Sequence, residues 1–187
     1  TFTSVNLSLA LASPNKRTII IGSDVRNPQL TRYNPSRKGL IGLTEYLYSD
    51  ETKLEDIIQV STLNPYLDVI YSGMIPPNPT DLLSNGRYEI LLEELKKEYH
   101  YIILDTAPLM LVTDSFLIAE LADATLYVTR SGYTEKSLIE FANSNIDSKK
   151  IKNVAFVLND VSKINFGYGN KYGYGYGTKE LSWFQRI

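Results

Sequence analysis

Two acidic residues stand where short apolar stretches end. One is Asp105, directly after Tyr101-Ile102-Ile103-Leu104. Four bulky, mostly β-favouring residues read as a strand buried on both faces, as in a parallel sheet, and Pro108 stops it. In open α/β sheets ligands bind beyond the carboxyl ends of the strands. A carboxylate there is placed to hold Mg²⁺, directly or through water, beside a nucleotide. The competing reading is an Asp that caps a strand-to-helix turn. The other acid is Asp24, which follows the β-branched stretch Arg17–Ile21 in Gly22-Ser23-Asp24-Val25-Arg26-Asn27-Pro28. Strand, acid, arginine and proline in close order suggest a loop in which Asp24 and Arg26 face a polar ligand. Alone, Arg26 reads as a surface ion-pair partner.

The elements that must carry these residues alternate. Thr1 to about Ala12 reads as a helix ended by Ser13-Pro14-Asn15, and Arg17–Ile21 as the first strand. Gln29–Lys38 is loop-like, and short helices are expected over Gly42–Tyr48 and Lys53–Gln59. Leu67–Tyr71 is a strand, followed by the stiff loop Ser72-Gly73-Met74-Ile75-Pro76-Pro77-Asn78-Pro79. Thr80 is expected to cap a helix through Ser84, with a longer amphipathic helix over Arg87–Glu98 before the Asp105 strand. Helices at Asp114–Leu121 and Thr134 to about Asn145 then alternate with strands at Ala124–Thr129 and Val154–Leu158. That order predicts an α/β fold, a parallel sheet with helices on both faces.

Composition sets bounds. The 187 residues make one domain with room for a large core. A net charge of −2 creates no field that would favour nucleic acid. There is no cysteine, hence no disulfide and no thiolate metal site, and the single His100 cannot build a histidine cluster. No apolar run approaches the roughly 20 residues of a membrane helix. The chain starts at Thr1 and enters a helix at once, so residues upstream are expected, with any membrane anchor among them. After Val161 the composition changes to Phe166-Gly167-Tyr168-Gly169-Asn170-Lys171-Tyr172-Gly173-Tyr174-Gly175-Tyr176-Gly177. Glycine at alternate positions resists regular structure, so 162–187 reads as a flexible, exposed tail carrying hydroxyl acceptors, set apart from a domain over 1–161.

In order and spacing these residues resemble the cytoplasmic catalytic domain of bacterial tyrosine kinases, a P-loop family that acts with capsule and exopolysaccharide export. Thr1-Phe2-Thr3-Ser4-Val5-Asn6-Leu7 resembles the start of the helix after Walker A, with Thr1 as the residue that follows the Gly-Lys pair. Ile19-Ile20-Ile21-Gly22-Ser23-Asp24-Val25-Arg26 resembles Walker A-prime, an apolar strand and Asp-x-Asp-x-Arg, with Gly22 in the place of the first acid. Ile102-Ile103-Leu104-Asp105-Thr106 resembles Walker B. Pro76 to Leu83 resembles a Pro-Asn-Pro-x-Glu-Leu-Leu loop with Asp81 for Glu.

The resemblance implies a three-layer P-loop NTPase-like fold and an ATP- and Mg²⁺-dependent protein-tyrosine kinase. Thr1, Asp105 and Asp24 would hold the ion, and Asp24 would also orient or deprotonate the incoming tyrosine. Asn159 matches a position that contacts adenine in related ATPases, a strand-end turn being the other reading. Tyr168, Tyr172, Tyr174 and Tyr176 would be the autophosphorylation sites. The tail would dock in a neighbouring subunit's site within a homo-oligomeric ring, and phosphorylation would loosen it. A membrane polysaccharide co-polymerase segment, upstream in the same chain, would place the domain at the cytoplasmic face of the inner membrane. Without the phosphate-cradling loop upstream of Thr1, the fragment is expected to bind ATP poorly. Two other readings stay open: a partition or septum-site type ATPase, and a catalytically weak scaffold of polysaccharide export, suggested by Gly22.

Overall fold

A computed structural model describes residues 1–110 and 113–162. Its centre is β1 (Thr18–Gly22), all five residues of which are buried. β1 lies between β3 (Leu67–Ile70) and β4 (Tyr101–Asp105) and runs parallel to both. The side-chain alternation of a strand decides the layers. Ile19 and Ile21 of β1 enter one apolar cluster, and Ile20 enters another. The first cluster is closed by α2 (Leu43–Tyr48), α3 (Leu54–Ile57), α4 (Pro79–Leu83), α5 (Arg87–Leu95) and α6 (Asp114–Leu121). The second is closed by α1 (Phe2–Leu11), through Val5 and Leu9. The three-layer α/β arrangement expected from the sequence is present.

α5 shows the pattern that drives such packing. Tyr88, Leu91, Leu92 and Leu95 are buried at i, i+3, i+4 and i+7, while Glu89, Ile90, Glu93 and Glu94 stay exposed. The phenol of Tyr88 is fully buried and shares a 2.6 Å hydrogen bond with the Ser23 hydroxyl. Burial pushes that phenol far up, so it stays neutral. The loop after β1 is thereby tied to α5 from below.

Several elements differ from the sequence expectation. The helix expected over Lys53–Gln59 stops at Ile57, and β2 (Ile58–Val60) pairs antiparallel with β3. Ile58 and Val60 favour a strand, but the partner edge that makes one possible is tertiary. β4 is not enclosed: Tyr101–Leu104 are half-buried, because the four-stranded order is β2-β3-β1-β4 and β4 is the last strand. Asp105 belongs to β4 itself and is its buried residue. β5 (Thr125–Arg130) and β6 (Val154–Asn159) form a separate parallel pair, with Tyr127 edge-on to Phe156 at 5.4 Å. Asn78, without a side-chain capping bond, holds the N-cap position of α4 and Pro79 starts its first turn, so Thr80 lies inside the helix rather than at its cap. α7 (Lys136–Asp147) starts two residues after Thr134, whose hydroxyl accepts the Arg130 N–H. Gln29–Lys38 contains two short 3-10 turns, Leu30–Arg32 and Pro35–Arg37.

Gly42 marks where α2 meets the sheet. A Cβ there would lie 2.3 Å from the Tyr71 carbonyl oxygen and 2.7 Å from the Gly73 nitrogen, both backbone atoms. Gly42→Ala is therefore expected to destabilise the fold by about 1–3 kcal/mol, the usual cost of overpacking, read as a lower midpoint in urea.

Candidate active site

Gly22 and Asp105 are register partners at the carboxyl ends of β1 and β4. From there the chain leaves β1 in a tight turn. The N–H groups of Ser23 and Asp24 both donate to the Asp105 carbonyl, at 2.9 and 3.0 Å. Asp24 is thus set beside Asp105 by backbone bonds rather than by side-chain chance.

The Asp105 carboxylate is only 3 % exposed. Buried carboxylates need partners, and this one takes them from the start of α1. The Thr1 hydroxyl donates to Oδ2 at 2.7 Å and the Ser4 hydroxyl to Oδ1 at 2.8 Å. The Thr1 backbone nitrogen lies 3.0 Å from Oδ1. Thr1 occupies the N-cap of α1, yet its side chain makes no capping bond. A threonine there normally accepts a helix N–H; here its hydroxyl points to the sheet.

Asp24 is half-buried, and its Oδ1 accepts the Asn27 N–H at 2.9 Å. Burial raises its pKa above the ordinary carboxylate value. The Asn27 and Arg26 backbone N–H groups pull it back, and the Asp105 charge adds to the rise. Two carboxylates and a hydroxyl offer hard oxygen donors, the chemistry Mg²⁺ prefers. Among the described residues no three His, Cys, Asp or Glu side chains gather into a metal cage. A cation at Asp105 would need oxygens from elsewhere, as Mg²⁺ does when it shares one or two carboxylates with substrate phosphates. The residues present fit that ion.

The structure places Arg26 differently from the ligand-facing group expected from the loop. Its Nε donates to Asp114 Oδ2 at 2.6 Å, and one terminal nitrogen donates to Asp114 Oδ1 at 3.2 Å and to the Thr80 hydroxyl at 3.0 Å. Thr80 also donates to Asp114 Oδ1 at 2.8 Å. Asn159 ends β6 in the separate sheet, where its carbonyl accepts the Ser131 N–H. Tyr168, Tyr172, Tyr174 and Tyr176 lie outside the described residues.

Gly22 has a packing reason. A Cβ there would meet the Ser72 hydroxyl oxygen at 2.6 Å and Leu30 Cδ1 at 3.1 Å. Ser72 donates to the Gly22 carbonyl at 2.7 Å. A serine hydroxyl therefore stands against the position where the Asp-x-Asp-x-Arg pattern has its first acid. Ser4, Thr80, Asp114 and Ser72 were not singled out as site residues from the sequence. Only Ser4 had a local signal, three residues after Thr1 and so on the same helix face.

A parallel αβ core with a hydroxyl-gripped carboxylate beside the start of a helix defines a P-loop NTPase-like domain. The AAA domain family matches residues 1–155. Tyrosine-protein kinase CpsD of Streptococcus agalactiae is 36 % identical over 173 residues, which cover 92 % of this chain and 75 % of that protein. The kinase domain of Escherichia coli tyrosine kinase ETK superposes with a TM-score of 0.78 at 26 % identity, covering 95 % of this chain and 67 % of that one. A septum site-determining MinD of Pyrococcus horikoshii, complexed with Mg-ADP, shares the fold at TM-score 0.63 and 17 % identity, covering 83 % of this chain and 62 % of that one. The chain belongs to the bacterial tyrosine-protein kinase family within the AAA domain group.

Proposed function

We propose that this chain is a protein-tyrosine kinase that transfers the γ-phosphoryl group of ATP to tyrosines of its own C-terminal segment. One observation carries the reading: the buried Asp105, bonded by Thr1 and Ser4, with Asp24 pinned beside it. Family membership supports the activity. Phosphoryl transfer asks the protein for positioning and charge neutralisation more than covalent chemistry. Bound Mg²⁺ would neutralise charge on the phosphate oxygens. Asp105 would hold the ion, and Thr1 would offer its oxygen lone pairs while its O–H stays on Asp105. Asp24 orients the tyrosine O–H and accepts its proton as the phenolic oxygen bonds to phosphorus and the bond to ADP breaks. Its raised pKa makes it a better acceptor than an ordinary carboxylate. The acceptors on this reading are Tyr168, Tyr172, Tyr174 and Tyr176, on a tail over 162–187 that follows a catalytic unit over 1–161.

The same reading includes a homo-oligomeric ring joined through the tail, a role in capsule or exopolysaccharide export, and a location at the cytoplasmic face of the inner membrane beside a co-polymerase segment. Among the described residues no helix is long and apolar enough to cross a membrane, so that segment would lie elsewhere. Asn159 remains the proposed adenine contact. A weak catalyst that serves as a scaffold is the second reading, favoured by Gly22 and the serine packed against it.

Incubating the chain, extended upstream of Thr1 to restore the phosphate-cradling loop, with Mg²⁺ and γ-labelled ATP tests the assignment. Label on tyrosine is expected; label released only as free phosphate would favour a partition-type ATPase, and no turnover the scaffold.

A further inference from the structure

We infer that Asp114 is a positioning residue for the Asp24 loop, acting through Arg26, with Thr80 as its second anchor. This rests on the proposed role of Asp24. The loop after β1 has two ends, and both are fixed. At its start Ser23 and Asp24 donate backbone N–H groups to the Asp105 carbonyl. At its far side the Arg26 guanidinium forks onto Asp114, at 2.6 and 3.2 Å. Asp24 lies between these anchors, so they set where its carboxylate points.

The anchor itself is rigid. Asp114 opens helix α6 and is only 3 % exposed. Its carboxylate accepts from Arg26 and from the Thr80 hydroxyl of α4. One buried acid therefore joins three segments at the carboxyl edge of the sheet: the loop after β1, α4, and the start of the helix that follows β4. Burial alone would push Asp114 up, but the Arg26 and Thr80 hydrogen bonds hold it below its ordinary value, so it stays charged. Both acceptor oxygens are engaged and Arg26 is committed to them, which leaves Arg26 a tether rather than a hand for the ligand. A misplacement of about 1 Å in a catalytic group costs on the order of 100-fold in rate, so loosening this tether acts on turnover.

The test uses the chain extended upstream through the phosphate-cradling loop, carrying Asp114→Asn, Thr80→Val or Thr80→Ser. For Asp114→Asn, kcat for phosphotyrosine formation is expected to fall about 10- to 100-fold with KM for ATP within about twofold, the mark of a group that acts in the transition state. Thr80→Val is expected to lower kcat in the same sense, and Thr80→Ser, which keeps the hydroxyl, to restore it. Arg26→Ala combined with Asp114→Ala is expected to cost no more than the worse single change, because the two act as one unit. Hydrogen exchange supplies a readout that needs no activity: amides of 23–27 should exchange at least about 10-fold faster in Asp114→Asn, while those of 19–21 stay protected. Unchanged exchange at 23–27 would overturn the tether whether or not the chain is a kinase. So would a rise in KM for ATP at constant kcat, which would make Arg26 a nucleotide contact. Fast exchange in 23–27 without any phosphotyrosine from the otherwise unaltered protein would uphold the tether and remove the kinase reading. If Asp114→Asn does not fold, the Thr80 pair decides by the same two readouts.

Discussion

Asp105→Asn is expected to reduce phosphotyrosine formation by about 100- to 1000-fold, the scale on which one preorganised electrostatic group acts in an active site. The substitution keeps the size of the side chain and removes its charge. Asp105 is buried, with both oxygens already bonded to groups at the start of α1. An amide there offers one acceptor and one donor, so either Thr1 or Ser4 would face an N–H instead of an oxygen. That mismatch adds a folding cost of about 1–3 kcal/mol. The steady-state rate with Mg²⁺-ATP, alongside a urea midpoint, separates the two effects: catalysis should collapse while a folded population persists.

Asp24→Asn carries the second large effect, and its two consequences point in opposite directions. Removing a proton acceptor is expected to lower kcat about 100-fold or more. Stability should rise. The fold raises the Asp24 pKa, chiefly through burial. A raised carboxyl favours the folded state when protonated: that contribution is complete below the unfolded value and is lost as pH rises through the folded value. At neutral pH the unaltered chain therefore bears the cost of a half-buried charge that the neutral amide of the Asp24→Asn protein avoids. The melting temperature of Asp24→Asn should exceed that of the parent near pH 7, and the gap should close in acid below the ordinary carboxylate range. Loss of activity with gain of stability is the signature of a group placed for function. Equal melting temperatures at both pH values would remove the physical basis for calling Asp24 strained.

The legible parts of this site were those written locally. Ile19–Ile21 and Ile102–Leu104 are apolar runs too dense for exposed strands, and acids at their ends are visible as a change of residue type. Parallel neighbours bring such strand ends together, so Asp24 and Asp105 could be paired from the sequence, and the structure sets Asp24, two residues past the end of β1, against Asp105 at the end of the neighbouring β4. What was not legible depends on partners far away in the chain. Asp114 reads as an ordinary acid in a first helical turn, favoured there by the helix dipole; its tie to Arg26 spans 88 positions. Thr80 looks like a cap, but Asn78 and Pro79 already start that helix, which frees the hydroxyl for Asp114. β2 was hidden because the strand preference of Ile58 and Val60 means little until β3 supplies an edge. Even Gly22, visible as a departure from an acidic pattern, shows its packing reason only with Ser72 in place.

Mapping of phosphorylated residues by mass spectrometry, after the chain extended upstream through its phosphate-cradling loop has turned over Mg²⁺-ATP, tests the central claim most directly. The account predicts phosphate on tyrosines among Tyr168, Tyr172, Tyr174 and Tyr176, absent from the Asp105→Asn protein treated in parallel. Phosphate at those tyrosines in the Asp105→Asn protein at the unaltered rate, or ATP consumed by the unaltered chain with no tyrosine modified, would contradict it.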